Sequence, residues 1–405
     1  MDVKETLSLF NYPGEKLETM GMVLDLATDL SREIAKHAKS WDEEEAQFRN
    51  GHVVLPNGMP EMLRKVSDAG LTGLYVPEEF GGADLPFTVY AGVVEILSKA
   101  CPSLGVAFAV HGTAIDFIRE LGTQKAKEKY LPKLASGEWW GAITFSEPES
   151  GSDLGSLKSY SEKRGNKYHL NGSKIFVTNG GVANVYTTLV LTDKEKGKKG
   201  GMGCFIIEKS SPGFKVVRIE EKMGLKASPT AQLAYDNCEI PEENLMGENG
   251  KGFSHTLGML CGSRTCIGAQ ATGIAQAAYE KALKYSKERK QFGRPIAEFQ
   301  AIQFKLADMA MKLDASRRMY LTAAYLKDHK SPHFPMASSE AKLFGSEASL
   351  RICEDAIQIH GGYGYIKEYD VERHYRDARV TTIYEGTSEV HRLIISKAAI
   401  DSAKS

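Results

Sequence analysis

One carboxylate in this chain stands where a general base could be kept away from water. Glu385 follows the β-branched and aromatic run VTTIY at 380–384 and precedes Gly386. In water a glutamate has a pKa of about 4.3 and is a weak base, but desolvation raises that pKa toward values at which proton abstraction at neutral pH is efficient. The same residues also fit ordinary helix punctuation, with a carboxylate favourable to a helix dipole and a glycine relieving the backbone. The local pattern leaves both interpretations open.

Composition narrows the class of protein. The chain has 405 residues, 42% of them hydrophobic and 25% charged, with a net charge of -1. This balance gives no electrostatic reason to expect nucleic acid or an anionic membrane surface as a partner. The six cysteines are scattered without a C-x-x-C pair, which favours a reducing compartment. The N-terminus lacks signal or transit character and no apolar run reaches membrane-spanning length, so we expect a cytoplasmic protein without membrane insertion, or a mature chain already processed.

The periodicity of apolar residues changes twice along the chain. Helical periodicity broken by turn signals predicts an N-terminal helical domain at 1–138. Short β-rich runs separated by Gly, Asn, Asp and Pro predict a middle β domain of sandwich or barrel type at 139–250. Long helical patterns then return and predict a C-terminal four-helix bundle at 251–405, in which Ile302, Leu306, Met309 and Leu313 form a buried stripe. The expected fold class is therefore α+β.

Several common chemistries are not indicated. No G-x-G-x-x-G lies between a strand and a helix, no P-loop occurs, and no G-x-S-x-G is present. The ten histidines form no H-E-x-x-H or clustered ligand set, so we predict no protein-bound metal. What remains is a β domain that contains TFSEPESGSD at 144–153 and KIFVTNGG at 174–181. These segments offer an aromatic face with backbone and hydroxyl donors, as a flat heteroaromatic requires, although a turn beside an ordinary strand explains them equally.

Taken together, the ordered motifs resemble those of the acyl-CoA dehydrogenase family. They are PEEFGG at 77–82, FSEPESGSDLGS at 145–156, LNGSKIFVTNG at 170–180, KMGLKAS at 222–228, ERKQFGRP at 288–295, QIHGGYGY at 358–365 and IYEGTS at 383–388. The resemblance covers nearly the whole chain. It implies an FAD enzyme with helical, β and helical-bundle domains, usually a homotetramer or a homodimer.

The resemblance also implies roles for individual residues. The flavin contacts it implies in the β domain are Phe145, Ser146, Gly151, Ser152, Phe176, Val177 and Thr178. Contacts to FAD across a subunit boundary are implied for Arg289, Gln291, Phe292, Gln300, Gln358, Gly361 and Gly362, and contacts to its nucleotide end for Thr387 and Glu389. Substrate contacts are implied for Ser152, Arg264 and Gly386.

By the same resemblance, Glu385 is the catalytic base. It removes the α-proton of an acyl-CoA thioester while a hydride leaves the β-carbon for FAD, and the product is a 2-enoyl-CoA. Some branches of the family carry the base immediately before the arginine that matches Arg264, but here that residue is Ser263. Electrons are expected to pass to an electron-transfer flavoprotein; an acyl-CoA oxidase and a non-catalytic scaffold are the alternatives.

Three residues depart from the family pattern, and the substrate stays open. Cys261 stands where many relatives have Asp, Phe176 where tryptophan is common, and Ser146 where threonine is common. The helix at 104–113 is expected to line the acyl pocket. Its small residues could leave room for a branched, cyclic or aryl-substituted acyl group, or could only allow helices to pack closely. Leu104 argues against a glutaryl enzyme, which would have arginine there.

Overall fold

The structure, a computed structural model, describes residues 2–402. Over this range the chain runs through a group of helices, a mixed eight-stranded sheet and a second group of helices. The α+β fold class expected from the sequence is confirmed. The domain boundaries at 138/139 and 250/251 stay a prediction.

The first part of the chain is helical, with one exception. Its helices are α1 (Val3–Leu7), α2 (Gly14–Ala35), α3 (Ala38–Glu44), α4 (Met59–Asp68), α5 (Phe87–Ala100), α6 (Pro102–Leu121) and α7 (Gln124–Ala135). The exception is an antiparallel hairpin of β1 (Gln47–Arg49) and β2 (His52–Val54). Asn50 and Gly51 connect the strands with φ of 51° and 79°, the backbone that an Asn-Gly hairpin turn requires. Sequence reasoning missed this hairpin although the Asn-Gly signal was present.

Helix α6 is enclosed on all sides. Every residue from Pro102 to Ile118 is buried, and the helix packs against α5, against the strand that follows α7 and against the helix at Gly252–Glu288. Since it has no solvent-facing stripe, its side chains can face only other elements or an internal cavity. Helix α6 is thus a central buried helix, and any internal cavity beside it would be lined by its side chains.

The middle part forms one sheet. Its strands are β3 (Gly141–Thr144), β4 (Tyr160–Arg164), β5 (Lys167–Thr178), β6 (Val185–Leu191), β7 (Met202–Glu208), β8 (Phe214–Ile219), β9 (Thr230–Pro241) and β10 (Leu245–Gly250). The order is β10-β7-β6-β4-β5-β9-β8, with β3 parallel to β6. Strands β4 and β6 share only the pair Tyr160 and Leu191. The halves on either side of this weak seam pack face to face, with the Tyr168 and Phe205 rings 4.8 Å apart.

The last part is a helical bundle with a small hairpin. Its elements are α8 (Gly252–Glu288), β11 (Lys290–Gln291), β12 (Arg294–Pro295), α9 (Gln300–Asp328), α10 (Phe334–His360), α11 (Gly362–Tyr365), α12 (Val371–Arg379) and α13 (Ser388–Ser402). Helices α8, α9 and α10 pack on one another, and α13 packs on α10. The predicted stripe of α9 faces the core, with Met309 and Leu313 fully buried.

Buried polar contacts tie the bundle to the first group of helices. Glu95 of α5 accepts hydrogen bonds from Arg317 Nε at 3.0 Å and from Tyr320 Oη at 2.6 Å, both on α9. Asp328 at the end of α9 accepts from the backbone N–H groups of Phe87 and Thr88, where it satisfies the free donors that begin α5. These contacts hold α5, and with it α6, against the bundle. Between residues 2 and 402 we find no helix with both the length and the apolar character needed to span a bilayer.

Candidate active site

Glu385 lies in a short, unusual turn between α12 and α13. Its φ is 55° and that of Gly386 is 96°, so two successive residues adopt left-handed backbone. This conformation is uncommon for glutamate and persists only where the surroundings hold it. One holding contact comes from α13, where His391 Nε2 donates to the carbonyl of Glu385 at 3.2 Å. The helix-punctuation interpretation explains Gly386, but not a strained glutamate.

The Glu385 carboxyl group is enclosed although the residue as a whole is partly exposed. Its Oε2 atom is inaccessible to solvent and has no hydrogen-bond partner among residues 2–402. Burial raises the pKa of Glu385, while a hydrogen bond from Ser263 and the charges of Arg264 and Lys342 act to lower it. Ser263, which occupies the alternative base position of the family, therefore contacts the Glu385 carboxyl group. An orphaned, desolvated carboxylate oxygen is what proton abstraction from carbon requires.

Arg264 and Cys261 lie one helical turn apart on α8, below this carboxylate. Arg264 is buried, its Nε has no partner in the described part of the chain, and its Nη1 lies 3.9 Å from Cys261 Sγ. Cys261 in turn points its thiol at the carbonyl of Leu257, 3.7 Å away in the same helix. The cysteine that replaces the family's Asp is thus engaged within its own helix and presents no carboxylate acceptor.

The small residues of α6 have two different roles. A Cβ on Gly105 would lie 2.0 Å from Ser98 Oγ, and one on Gly112 would lie 2.1 Å from Tyr90 Oη. These two glycines serve close packing of α5 on α6, which was one of the two expectations. Two other residues face the base loop, since Val106 and Val110 form an apolar cluster against which Tyr384 packs. The position of Tyr384 is set by its hydroxyl, which donates to Gln270 of α8.

His111, which follows Val110 on α6, is a core residue. Its Nδ1 accepts from the Gly141 N–H and its Nε2 donates to the Leu134 carbonyl, both at 3.1 Å. Burial lowers the pKa of His111 to about 4, so the ring is neutral. It is not available to bind a polar acyl end.

Hydrogen bonds from β5 hold the loop from Phe145 to Ser152 against that strand. The backbone N–H of Ile175 donates to the Ser146 carbonyl at 2.9 Å. Lys174 is fully buried and its Nζ donates to the Phe145 carbonyl, to the Leu189 carbonyl and to Glu147 Oε1, at 3.2, 2.8 and 2.7 Å. Sequence reasoning missed Lys174 and Glu147, because a lysine in a strand usually marks a solvated face.

Predicted flavin contacts on this loop differ in what they expose. Phe145 is 7% exposed and packs on Phe117, with the ring centroids 5.4 Å apart, so a ligand could meet only its backbone. Ser146 is partly exposed, and Gly151 and Ser152 are exposed. The polar edge of the loop is therefore open to a ligand, and its aromatic residue belongs to the core.

The predicted isoalloxazine contacts lie on β5 at a bulge. The ladder with β9 shifts between Lys174 and Val177, and Phe176 in the bulge has φ of 56° and is 64% exposed. Val177 is buried in the sheet core, so its side chain cannot contact a flavin and only its backbone remains available. Thr178 is partly exposed. The bulge offers an aromatic ring and a hydroxyl on one surface, which fits a flat heteroaromatic.

A second set of predicted contacts surrounds a groove at the far end of the bundle. The groove has a volume of about 690 Å³, and its lining includes Arg289, Gln291, Phe292, Gly361 and Gly362. Gln358 and Gln300 are exposed and lie outside that lining. Phe292 is 93% exposed, and a Cβ on either glycine would meet nothing within 4 Å.

Arg289 supplies a positive charge in this groove that could bind an anionic group. Its guanidinium stacks on Tyr363 with 5.6 Å between its central carbon and the ring centroid, and no carboxylate pairs with it within the described range. An unpaired Arg beside an apolar, glycine-floored groove fits the phosphates and flat rings of a dinucleotide.

The Arg289 groove is far from Arg264 and the Glu385 loop within one chain. At about 1.5 Å per residue, Arg264 and Glu288 on α8 lie about 36 Å apart. The groove therefore lies at the other end of the bundle from the Glu385 loop. Thr387 and Glu389 lie beside the base at the start of α13, where Thr387 Oγ1 accepts the Val390 N–H at 3.3 Å and caps the helix.

The buried, unpartnered carboxylate of Glu385 and the exposed ring at the β5 bulge suit an oxidoreductase with a flat heteroaromatic cofactor. Sequence models of the N-terminal, middle and C-terminal domains of acyl-CoA dehydrogenases match residues 20–138, 142–238 and 250–400. The chain belongs to the acyl-CoA dehydrogenase family, it is an oxidoreductase of that type, and its cofactor is FAD.

Individual relatives agree with this assignment. An acyl-CoA dehydrogenase of Bacillus subtilis is 47% identical over 83% of this chain and 89% of its own length. A short-chain specific acyl-CoA dehydrogenase of Clostridium acetobutylicum is 42% identical over 83% of this chain and 88% of its own. A chain in a structure described as the electron transferring flavoprotein of Acidaminococcus fermentans superposes with a TM-score of 0.90 at 39% identity, covering 96% of this chain and 99% of that one.

The turn at Gly386 gives a first testable prediction. A Cβ there would lie 3.0 Å from His391 Nε2, and φ of 96° disfavours any side chain. We expect Gly386→Ala to cost about 1–3 kcal/mol in local strain, displace the carboxylate and slow reduction of bound FAD by acyl-CoA at least tenfold. Stopped-flow absorbance measures this rate. Gly14→Ala, where the added Cβ meets nothing within 4 Å, is the control; an equal rate in both variants would refute the argument.

Proposed function

We propose that the enzyme dehydrogenates a short-chain acyl-CoA to its 2-enoyl-CoA, with Glu385 as the base, and passes the electrons to an electron-transferring flavoprotein. The observation that carries the proposal is the unpartnered, buried Oε2 of Glu385 in a strained turn. Its elevated pKa suits abstraction of a weakly acidic proton from carbon.

The proposed steps for this chain concern the α-carbon and the thioester oxygen. Glu385 takes the α-proton, and the C–H electron pair becomes part of the new double bond. FAD, when bound, would supply the acceptor for the hydride that leaves the β-carbon. The backbone N–H of Glu385 has no acceptor among residues 2–402, and we assign it to the thioester oxygen, where negative charge develops. Ser152, Arg264 and Gly386 complete the substrate contacts in this proposal.

A short acyl group is favoured by the apolar cluster at the base. Val106 and Val110 close against Tyr384, and no buried cation replaces Leu104 to receive a second carboxylate. The name of the Clostridium relative indicates the same substrate range for that protein. Straight-chain and branched four- and five-carbon thioesters are the first candidates, with cyclic and aryl-substituted groups as further members of the test panel.

We further propose that the complete site is formed between subunits of a homo-oligomer. About 36 Å of α8 separates Arg264, whose charge acts on Glu385, from Glu288 beside the Arg289 groove, which is too far for one FAD to contact both places in a single chain. The groove is then free to receive the nucleotide part of an FAD bound to another subunit. A tetramer is the arrangement we favour, and a dimer would also satisfy the geometry.

The experiment that tests the function is a turnover screen. FAD-loaded enzyme is mixed with straight-chain, branched, cyclic and aryl-substituted acyl-CoAs, and electrons are offered either to an electron-transferring flavoprotein or to oxygen. We expect turnover with the flavoprotein and short acyl groups. Rapid peroxide formation with little flavoprotein reduction would identify an oxidase instead, and a purified protein that takes up no FAD would support the scaffold alternative.

The pKa of Glu385 predicts how the reaction depends on pH. Only the ionised carboxylate accepts a proton, and burial raises its pKa, so the rate of FAD reduction should fall as pH decreases through a value above the ordinary glutamate pKa of about 4.3. Stopped-flow bleaching between pH about 4.5 and 9 checks this. A rate that stays constant down to pH about 4.5 would contradict a desolvated base.

A further inference from the structure

A second residue, Lys342, contacts the Glu385–Gly386 turn from a neighbouring helix. Lys342 lies on α10, its side chain is fully buried, and its Nζ donates to the carbonyl of Gly386 at 2.5 Å. No carboxylate of the described chain lies within salt-bridge distance of it. A buried ammonium whose direct partner is a carbonyl costs free energy that a neutral side chain would avoid, so its retention calls for an explanation.

The charges around Lys342 come from three directions. Glu385 in the turn, Glu389 on α13 and Glu347 on α10 favour its charged form, and Arg264 on α8 opposes it. Burial is the strongest influence and lowers the pKa of Lys342 to about 8. The ammonium therefore remains mostly protonated at neutral pH. The attraction between Lys342 and Glu385 acts on both groups, since the same lysine helps to lower the pKa of the base.

His391 on α13 also donates a hydrogen bond to the Glu385–Gly386 turn, but it carries no charge. It holds the Glu385 carbonyl while Lys342 holds the Gly386 carbonyl, so each residue of the strained pair is fixed by one donor. Burial lowers the pKa of His391 to about 3, and the nearby Lys342 and Arg264 charges act in the same direction. Of the two donors to the turn, only Lys342 supplies positive charge.

We infer that Lys342 is a positioning residue for the base: by binding the Gly386 carbonyl it fixes the left-handed turn, and by its charge it keeps the desolvated Glu385 carboxylate ionised. This inference rests on the proposed role of Glu385. The protein thereby balances two needs, because the carboxylate must be dry enough to be basic and must still be ionised before substrate arrives.

The test measures the protonation of Glu385 without relying on turnover. Infrared difference spectra of the FAD-loaded enzyme, with Glu385→Gln as the spectral reference, give the pKa of this carboxyl group. In Lys342→Met, which removes both donor and charge, we expect that pKa to rise by about one unit or more. Lys342→Gln retains a donor for the Gly386 carbonyl without the charge, and should show the same direction of shift with a smaller loss of FAD-reduction rate.

Arg351→Met, the control, removes an exposed cation from the same helix as Lys342 and should leave the carboxyl pKa and the rate unchanged. An unshifted Glu385 pKa in a Lys342 variant that retains FAD would overturn the inference, even if the variant were less stable. If neither variant retains FAD, the wild type decides: the infrared band of the ionised Glu385 carboxylate should shift as Lys342 loses its proton near pH 8, and a band position that stays constant from pH 7 to 10 would overturn the inference.

Failure of the inference is distinguishable from failure of the proposed function. If no acyl-CoA reduces wild-type FAD, the proposed function fails, and the infrared titration still reports on the coupling between Lys342 and Glu385. If wild-type FAD is reduced but the pKa of Glu385 is unchanged in the Lys342 variants, only the inference fails.

Discussion

Glu385→Gln should abolish the reduction of bound FAD by acyl-CoA, with a rate at least about 10³-fold below that of the wild type. The amide has nearly the same shape as the carboxylate but cannot accept the α-proton. The unpartnered Oε2 position becomes an amide group in the same enclosed space, so the loop should keep its backbone. Anaerobic stopped-flow absorbance of the flavin measures the effect.

The variant must fail for a chemical reason and not through misfolding. FAD content, thermal midpoint and binding of a non-reactive enoyl-CoA should match the wild type. Glu354→Gln, which neutralises an exposed carboxylate on α10, is the control and should reduce FAD at the wild-type rate. If Glu385→Gln were reduced as fast as this control, another residue would have to be the base.

Lys174→Met should destabilise the β domain by about 3–5 kcal/mol, because it leaves the Glu147 carboxylate buried without its cation. Glu147 would keep hydrogen bonds from the backbone N–H groups of Lys158 and Ser159, at 2.6 and 3.1 Å, but no cation. The carbonyl of Phe145 would also lose its donor, which loosens the loop proposed to contact the flavin. We therefore expect weaker FAD affinity as well as lower stability.

The chain offers a matched control for this prediction on the same loop. Lys158 forms an exposed ion pair with Glu149, in which both side chains are more than 70% exposed. Exposed pairs contribute little, so Lys158→Met should unfold in urea with the wild-type midpoint and bind FAD as tightly. Equal stability of the Lys174→Met and Lys158→Met variants would contradict the structural role assigned to the buried lysine.

The order of the helical and β parts was accessible from the sequence, and so was the choice of Glu385 as the proposed base. Period-2 and period-3.6 patterns distinguished the β part from the helical parts, because burial on one face imposes those periods. Glu385 could be proposed as the base from the family resemblance, whereas its apolar flank alone left the helix-punctuation interpretation open. The Asn50-Gly51 turn shows a local signal that was present and overlooked.

What the sequence could not reveal were the buried charges and the distances between distant segments. Lys174 and Lys342 each resemble a solvated surface lysine until the fold places acceptors around them, and that depends on residues far along the chain. One retrospective hint is the set of small residues beside Lys342, including Ser338, Ala341 and Gly345, which indicates a closely packed helix face. The long separation between the Arg289 groove and the base also follows only from the path of α8.

The most direct test of the account is one anaerobic turnover of the FAD-loaded wild type with butyryl-CoA, in which flavin absorbance and thioester products are measured together. The account predicts that each FAD reduced is matched by one 2-enoyl-CoA, with the α-proton lost to the enzyme. Reduced flavin without enoyl product, or no change with any acyl-CoA in the panel, would contradict it.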